Sequence, residues 1–236
     1  MNAAERIFVA IDRMDAADAA HDVARVASGG GGIKLGLEFF VANGPEGVRA
    51  ARPAGVRLFL DLKLHDIPNT VAGATRGACR AGAQLLTIHA AGGLTMMKAA
   101  VAAARETAGA AAPRLLAITV LTSFDDDDLD ATGQRGPVVE QAKRLADLAQ
   151  RAGVAGVVCS PREVAALRRQ CGPGFLIVTP GIRPAWAAAD DQKRLTTPAE
   201  AIASGADHLV IGRPITRAND PAAALARIVS EIEAAA

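Results

Sequence analysis

Short apolar runs recur along this chain with alanine-rich, helix-like stretches between them, and that alternation restricts the fold more than any other feature. The expected strands cover residues 6–12, 32–36, 56–63, 84–89, 114–121, 154–159, 174–179 and 207–211. Val138 to Arg151 and Pro198 to Ser204 read as helices, the first with Leu145, Leu148 and Ala149 on one face. Gly82, Gly153 and Gly205 each follow a helical stretch just before a strand, where a left-handed residue stops the helix. Strand–helix units at this spacing build a parallel sheet with helical crossovers. About eight of them in 236 residues match the size of one closed (β/α)8 barrel spanning residues 1–236. A doubly wound open sheet is the competing fold, but it usually carries a glycine-rich fingerprint after its first strand. Here that strand ends in Asp12-Arg13-Met14-Asp15.

The net charge of +1 and an aromatic content of 3% argue against a nucleic-acid platform, which needs a basic face or stacking rings. No apolar run approaches the roughly 18 residues of a membrane span, and the N-terminus shows no signal-peptide pattern. Cys79, Cys159 and Cys171 are scattered without metal-ligand spacing, as expected of free thiols in a reducing compartment. The chain therefore reads as a cytoplasmic protein.

Two low-complexity runs need weighing. Gly29-Gly30-Gly31-Gly32 precedes a strand, whereas a phosphate-cradling loop follows one and opens a helix, so it reads as a flexible connection on the face away from the chemistry. Asp125-Asp126-Asp127-Asp128 follows the fifth strand; a metal site is conceivable there, and a solvated helix start is the plainer reading.

Barrel active sites lie at the C-terminal strand ends. In the third strand Leu58, Leu60, Leu62 and Leu64 share one face, and Phe59, Asp61 and Lys63 share the other. Charges on an interior face are costly unless paired. Asp61 and Lys63 could be a structural ion pair, but Asp12 ends the first strand and Lys34 opposes Ile33 and Leu35 on the second. Four charges at one mouth, with Asp66 just beyond, point to a charged ligand. Thr122 ends the fifth strand. Gly212-Arg213 follows the eighth, where barrels commonly bind phosphate, and Arg183 and Gln192 lie in the long seventh loop. His89 ends the fourth strand and reads as a packed, hydrogen-bonded histidine; His65 reads as a turn residue and Cys159 as a small buried hydrophobe.

Asp61-Leu62-Lys63-Leu64-His65-Asp66-Ile67-Pro68-Asn69-Thr70 closely resembles the signature of the orotidine 5′-phosphate decarboxylase family. Val9 to Asp12, Ile33 to Gly36, Val120 to Ser123, Thr179 to Pro184 and Val210 to Pro214 resemble further family blocks in the same order. The resemblance implies conversion of orotidine 5′-phosphate to UMP and CO2, the last step of UMP synthesis, with no cofactor and no metal. It implies Lys63 as proton donor in a charged array with Lys34, Asp61 and Asp66. Asp12 and Lys34 correspond to ribose-binding positions, Thr122 to a pyrimidine contact, and Arg183, Gln192, Gly212 and Arg213 to the phosphate set. It also implies a homodimer in which Asp66 and Thr70 reach the partner's site. The seventh loop, with Pro184-Ala185-Trp186 and three alanines before Asp190, departs from the commoner glycine-bearing form. Metal-dependent sugar-phosphate aldolases and decarboxylases resemble this pattern too, but they carry an acidic Mg²⁺ ligand where this chain has Lys34. A nucleotide-binding barrel without catalysis is the remaining class, and it would not need Lys63.

Overall fold

A computed structural model describes residues 1–187 and 196–235. Eight parallel strands close into a barrel in sequence order, β1 pairing with β8. They are β1 Ile7–Ile11, β2 Gly32–Gly36, β3 Leu58–Leu64, β4 Leu85–His89, β5 Arg114–Ile118, β6 Gly156–Val158, β7 Leu176–Thr179 and β8 His208–Ile211. The α-helices are α1 Ala16–Ala27, α2 Leu37–Ala51, α3 Pro68–Arg80, α4 Gly93–Ala108, α5 Asp126–Ala131, α6 Val138–Ala152, α7 Val164–Cys171, α8 Pro198–Ala203, α9 Arg213–Thr216 and α10 Pro221–Ala234. Each expected strand is present, shortened by a few residues at most ends, and the (β/α)8 barrel replaces the open-sheet alternative. No helix of the described residues is long and apolar enough to cross a membrane.

The period-two pattern separates two apolar layers. Ile7, Val9, Ile11, Ile33, Leu35, Leu58 and Leu60 face the helices, all fully buried. Each such side chain contributes roughly 2 kcal/mol of transfer free energy. Phe8, Ala10, Phe59, Leu85, Leu116, Leu176, Val178 and Val210 point inward and fill the barrel. At the N-terminal end Phe8 meets Phe59 edge-on with ring centroids 5.6 Å apart, and the Arg57 guanidinium lies 5.0 Å over the Phe8 ring. His208 closes the same floor, 5.3 Å from Phe8. Burial there pushes its imidazole down to about 4, helped by Arg57.

The glycine run lies on this N-terminal face, as expected, but it is not a slack connection. A Cβ on Gly29 would come within 2.5 Å of Leu225, and one on Gly32 within 2.5 Å of the Phe8 ring. At Gly32 the ring leaves no room for a side chain, at Gly29 the end of Leu225 would have to move, and Gly30 holds a φ of 75° that favours glycine. The acidic run is a helix start: Asp125 caps α5, its carboxylate accepting the Asp128 N–H while Asp128 accepts the Asp125 N–H. Asp126 accepts the Val138 N–H at 2.7 Å, joining α5 to α6. Gly82, Gly153 and Gly205 have φ of 74°, 78° and 108°, the left-handed stop expected at each helix end.

Candidate active site

Above the apolar plug, the inward positions of the first three strands carry charge. Parallel register pairs Ala10 with Lys34, Lys34 with Phe59, and Gly36 with Asp61. The inward parity of Phe8 and Ala10 continues to Asp12, and that of Phe59 to Asp61. The side chains meet in a row. Lys34 Nζ lies 3.7 Å from an Asp12 oxygen and 3.6 Å from Asp61 Oδ2. Lys63 Nζ donates to the same Asp61 oxygen at 2.9 Å. Asp61 and Lys34 are largely buried, whereas Asp12 opens to solvent, with a side-chain exposure of 66%.

Burial alone would raise the Asp61 carboxyl, but the ammonium groups of Lys34 and Lys63 outweigh it. With hydrogen bonds from Lys63 and Thr87 they hold it below the usual carboxylate range. The row is therefore an ionised aspartate gripped between two lysines in a shielded place, where charge acts strongly.

Strict strand alternation fails at Lys63, whose φ of 51° is the left-handed region rarely adopted by a residue with a side chain. The β3–β4 register shifts between Leu60 and Leu64 at the same point. Thr87, fully buried on β4, fills the gap: its hydroxyl accepts the Lys63 N–H at 2.8 Å and donates to Asp61 Oδ1 at 3.0 Å. Sequence reasoning passed over Thr87. Its signal was the inward parity of Leu85, Thr87 and His89.

His89 stacks on His65, ring centroids 5.2 Å apart at 28°. Burial, then His65 and Lys63, lowers its imidazole. The expected packing of His89 is present, against the residue read only as a turn former, whereas the hydrogen bond expected of it is not seen among the described residues. Cys159 is buried, and burial pushes its thiol well up.

The opposite half of the mouth holds a cleft of about 540 Å³ lined by Thr122, Ser160, Glu163, Gly181 and Thr196 among others. Gly212 sits between the two halves: a Cβ there would lie 3.7 Å from an Asp12 carboxylate oxygen. Arg213 begins α9 and is exposed, whereas Arg183 is buried. The Arg183 N–H donates to the Thr196 carbonyl at 3.1 Å, tying together the two ends of the seventh loop. Gln192 lies outside the described residues. Asp66 and Thr70 do not join the row within the chain. Both are exposed, and an Asp66 oxygen accepts the Ile67 N–H at 2.6 Å. Among the described residues, no group of three or more His, Cys, Asp or Glu side chains is placed to hold a metal ion.

Glu163 was also missed. Only 4% exposed, it lines the cleft and accepts the Ser160 N–H at 3.1 Å, a Ser-x-x-Glu pattern legible in the sequence. Burial raises its carboxyl to about 7, against the opposing Ser160 hydrogen bond and Arg162. Its native proton affinity exceeds that of the unfolded chain, so its stability contribution is complete at low pH and disappears as pH rises through about 7. Between about pH 5 and pH 8 the loss is on the order of 2–3 kcal/mol. His208, with its lowered imidazole, has the opposite sign and loses stability toward acid. Urea unfolding across this range should show Glu163→Gln without the decline toward alkaline pH that the unaltered protein retains. Equal slopes for the two would contradict the assignment.

A family model described as orotidine 5′-phosphate decarboxylase / HUMPS family matches residues 5–228. The chain is 56% identical over 229 residues to an orotidine 5′-phosphate decarboxylase of Paramagnetospirillum magneticum, covering 96% of this chain and 97% of that one. It is 55% identical over 230 residues to one of Rhodospirillum rubrum, at 96% and 93% coverage. The crystal structure of the orotidine 5′-phosphate decarboxylase from Lactobacillus acidophilus superimposes with a TM-score of 0.86 at 37% identity, over 97% of this chain and 99% of that one. Barrel, charged row and full-length similarity agree, and the chain belongs to the orotidine 5′-phosphate decarboxylase / HUMPS family.

Proposed function

We propose that this protein decarboxylates orotidine 5′-phosphate to UMP and CO2 without a cofactor, as the last step of UMP synthesis. The observation that carries this reading is the row Asp12–Lys34–Asp61–Lys63 at the ends of three neighbouring strands. Breaking the bond from C6 to the carboxylate leaves an electron pair in an in-plane orbital that the ring does not delocalise. An ammonium aimed at C6 stabilises that charge and supplies the proton, so a C–H bond replaces the lost C–C bond. Lys63 is that ammonium. Lys34 and Asp12 bind the ribose, Thr122 the pyrimidine, and Arg183, Gln192, Gly212 and Arg213 the phosphate. Contacts remote from C6 lower the barrel's reaction barrier when their binding energy is expressed in the transition state.

The same reading makes the protein a homodimer, with Asp66 and Thr70 entering the partner's site. Its support is the company they keep: Met14, Leu37, Val41 and Ile67 are exposed apolar side chains around the first three strand ends. A cytoplasmic location accords with three free thiols. Lys34, buried between two carboxylates, supports chemistry without Mg²⁺, because an ammonium there repels the ion. An ultraviolet assay of orotidine 5′-phosphate loss should give the same rate with and without EDTA. Turnover of a ketose phosphate that requires added metal would replace this reading with an aldolase, and UMP binding without decarboxylation would leave only a binding barrel.

A further inference from the structure

The side chain of Thr87 touches the row at two points, and neither contact is explained by packing alone. The hydroxyl has one proton and commits it to Asp61 Oδ1 at 3.0 Å, while its lone pair takes the Lys63 N–H at 2.8 Å. Its residue is fully buried, so water does not compete for either bond. Both bonds occur where the β3–β4 ladder is interrupted and where Lys63 holds a φ of 51°. A left-handed non-glycine residue persists only where its surroundings fix it.

We propose that Thr87 is a positioning residue for the decarboxylation: one hydroxyl sets both the rotation of the Asp61 carboxylate and the backbone angle from which Lys63 projects. This rests on the proposed function and deepens it. Asp61 Oδ1 taken by Thr87 leaves Oδ2 as the oxygen shared by Lys63 at 2.9 Å and Lys34 at 3.6 Å. With the hydroxyl gone, the carboxylate is free to turn and the Lys63 N–H loses its acceptor. The ammonium then wanders from C6 although all the charges of the row remain. Of the groups assigned to binding only Lys34 touches Asp61, at 3.6 Å, and the pyrimidine and phosphate positions are untouched, so the damage falls chiefly on the chemical step and little on affinity.

The test compares Thr87→Val, which keeps shape and removes the hydroxyl, with Thr87→Ser, which keeps the hydroxyl and removes a methyl. Single-turnover and steady-state decarboxylation of orotidine 5′-phosphate are read for both and for the unaltered protein. Thr87→Val should lose roughly 10- to 100-fold in the single-turnover rate and in kcat, the size expected for a lost bond to a charged group. Its KM should stay within about threefold, and Thr87→Ser should keep kcat within about threefold. The inference is overturned if Thr87→Val keeps its rate, if the loss appears in KM instead, or if Thr87→Ser falls as far as Thr87→Val. Should Thr87→Val not fold, Thr87→Ala is judged by the same criteria. An unaltered protein that fails to decarboxylate sinks the proposed function and this inference with it. Activity in the unaltered protein combined with an unaffected Thr87→Val removes the inference alone.

Discussion

Lys63→Ala should lose decarboxylation by roughly 10⁴-fold or more, because it removes both the proton donor and the charge that stabilises the carbanion. UMP presents no reacting carboxylate and draws its affinity from ribose, phosphate and base contacts, so its binding should change by less than about tenfold. Stability should change little. Lys63 is partly exposed and its ion pair with Asp61 is replaced by that of Lys34, 3.6 Å from the same carboxylate. The measurement pairs the ultraviolet assay with a UMP titration. Retained turnover in Lys63→Ala would end the assignment of Lys63 as acid and leave the family membership standing.

Mixing two inactive variants should restore activity. If Asp66 completes the partner's site, a Lys63→Ala protomer still donates a sound Asp66, and an Asp66→Asn protomer still holds a sound Lys63. In a hybrid dimer one site then carries both defects and the other carries none. Random reassortment makes half the dimers hybrid, so about a quarter of the sites should be intact. Activity should rise toward about a quarter of the unaltered level as subunits exchange, from near zero in either variant alone. The exposure of Asp66 in the isolated chain gives the reason to expect this: its carboxylate is not used by its own row. A mixture no more active than its components would mean that Asp66 serves no neighbour's site.

Parity along strands made the charged row readable in advance. Ile7, Val9 and Ile11 turned outward left Asp12 facing in, and the same counting placed Lys34 and Asp61, because a pleated strand alternates without exception until something breaks it. The break came at Lys63. A left-handed backbone is decided by tertiary surroundings, here the hydroxyl of Thr87 more than twenty positions away, and no local pattern announces it. Glu163 was hidden for a related reason: a surface helix start and a buried cleft wall share the motif Ser-x-x-Glu, and only packing tells them apart. The glycine run misled in the other direction. Composition read it as slack, but the Phe8 ring presses on Gly32 and the end of Leu225 on Gly29, so bulk from elsewhere in the chain favours small residues at those two positions. Strand-end position put Asp66 near the mouth, but a role for Asp66 and Thr70 in a partner's site rests on resemblance alone, since nothing in one chain's periodicity reports on a second chain.

The stopper that Phe8, Phe59, Arg57 and His208 form closes the bottom of the barrel, so the charged row is reached from the C-terminal mouth. Under the proposed function, nucleotide and gas both use that mouth. On the proposed chemistry, CO2 released beside Lys63 leaves on the side from which the nucleotide entered, and the filled interior bars water from reaching the carbanion through the barrel. On that reading the aromatic plug does for the reaction what a blind alley does for traffic: arrivals and departures use one end, and the proton that reaches C6 comes from the lysine at the head of the queue.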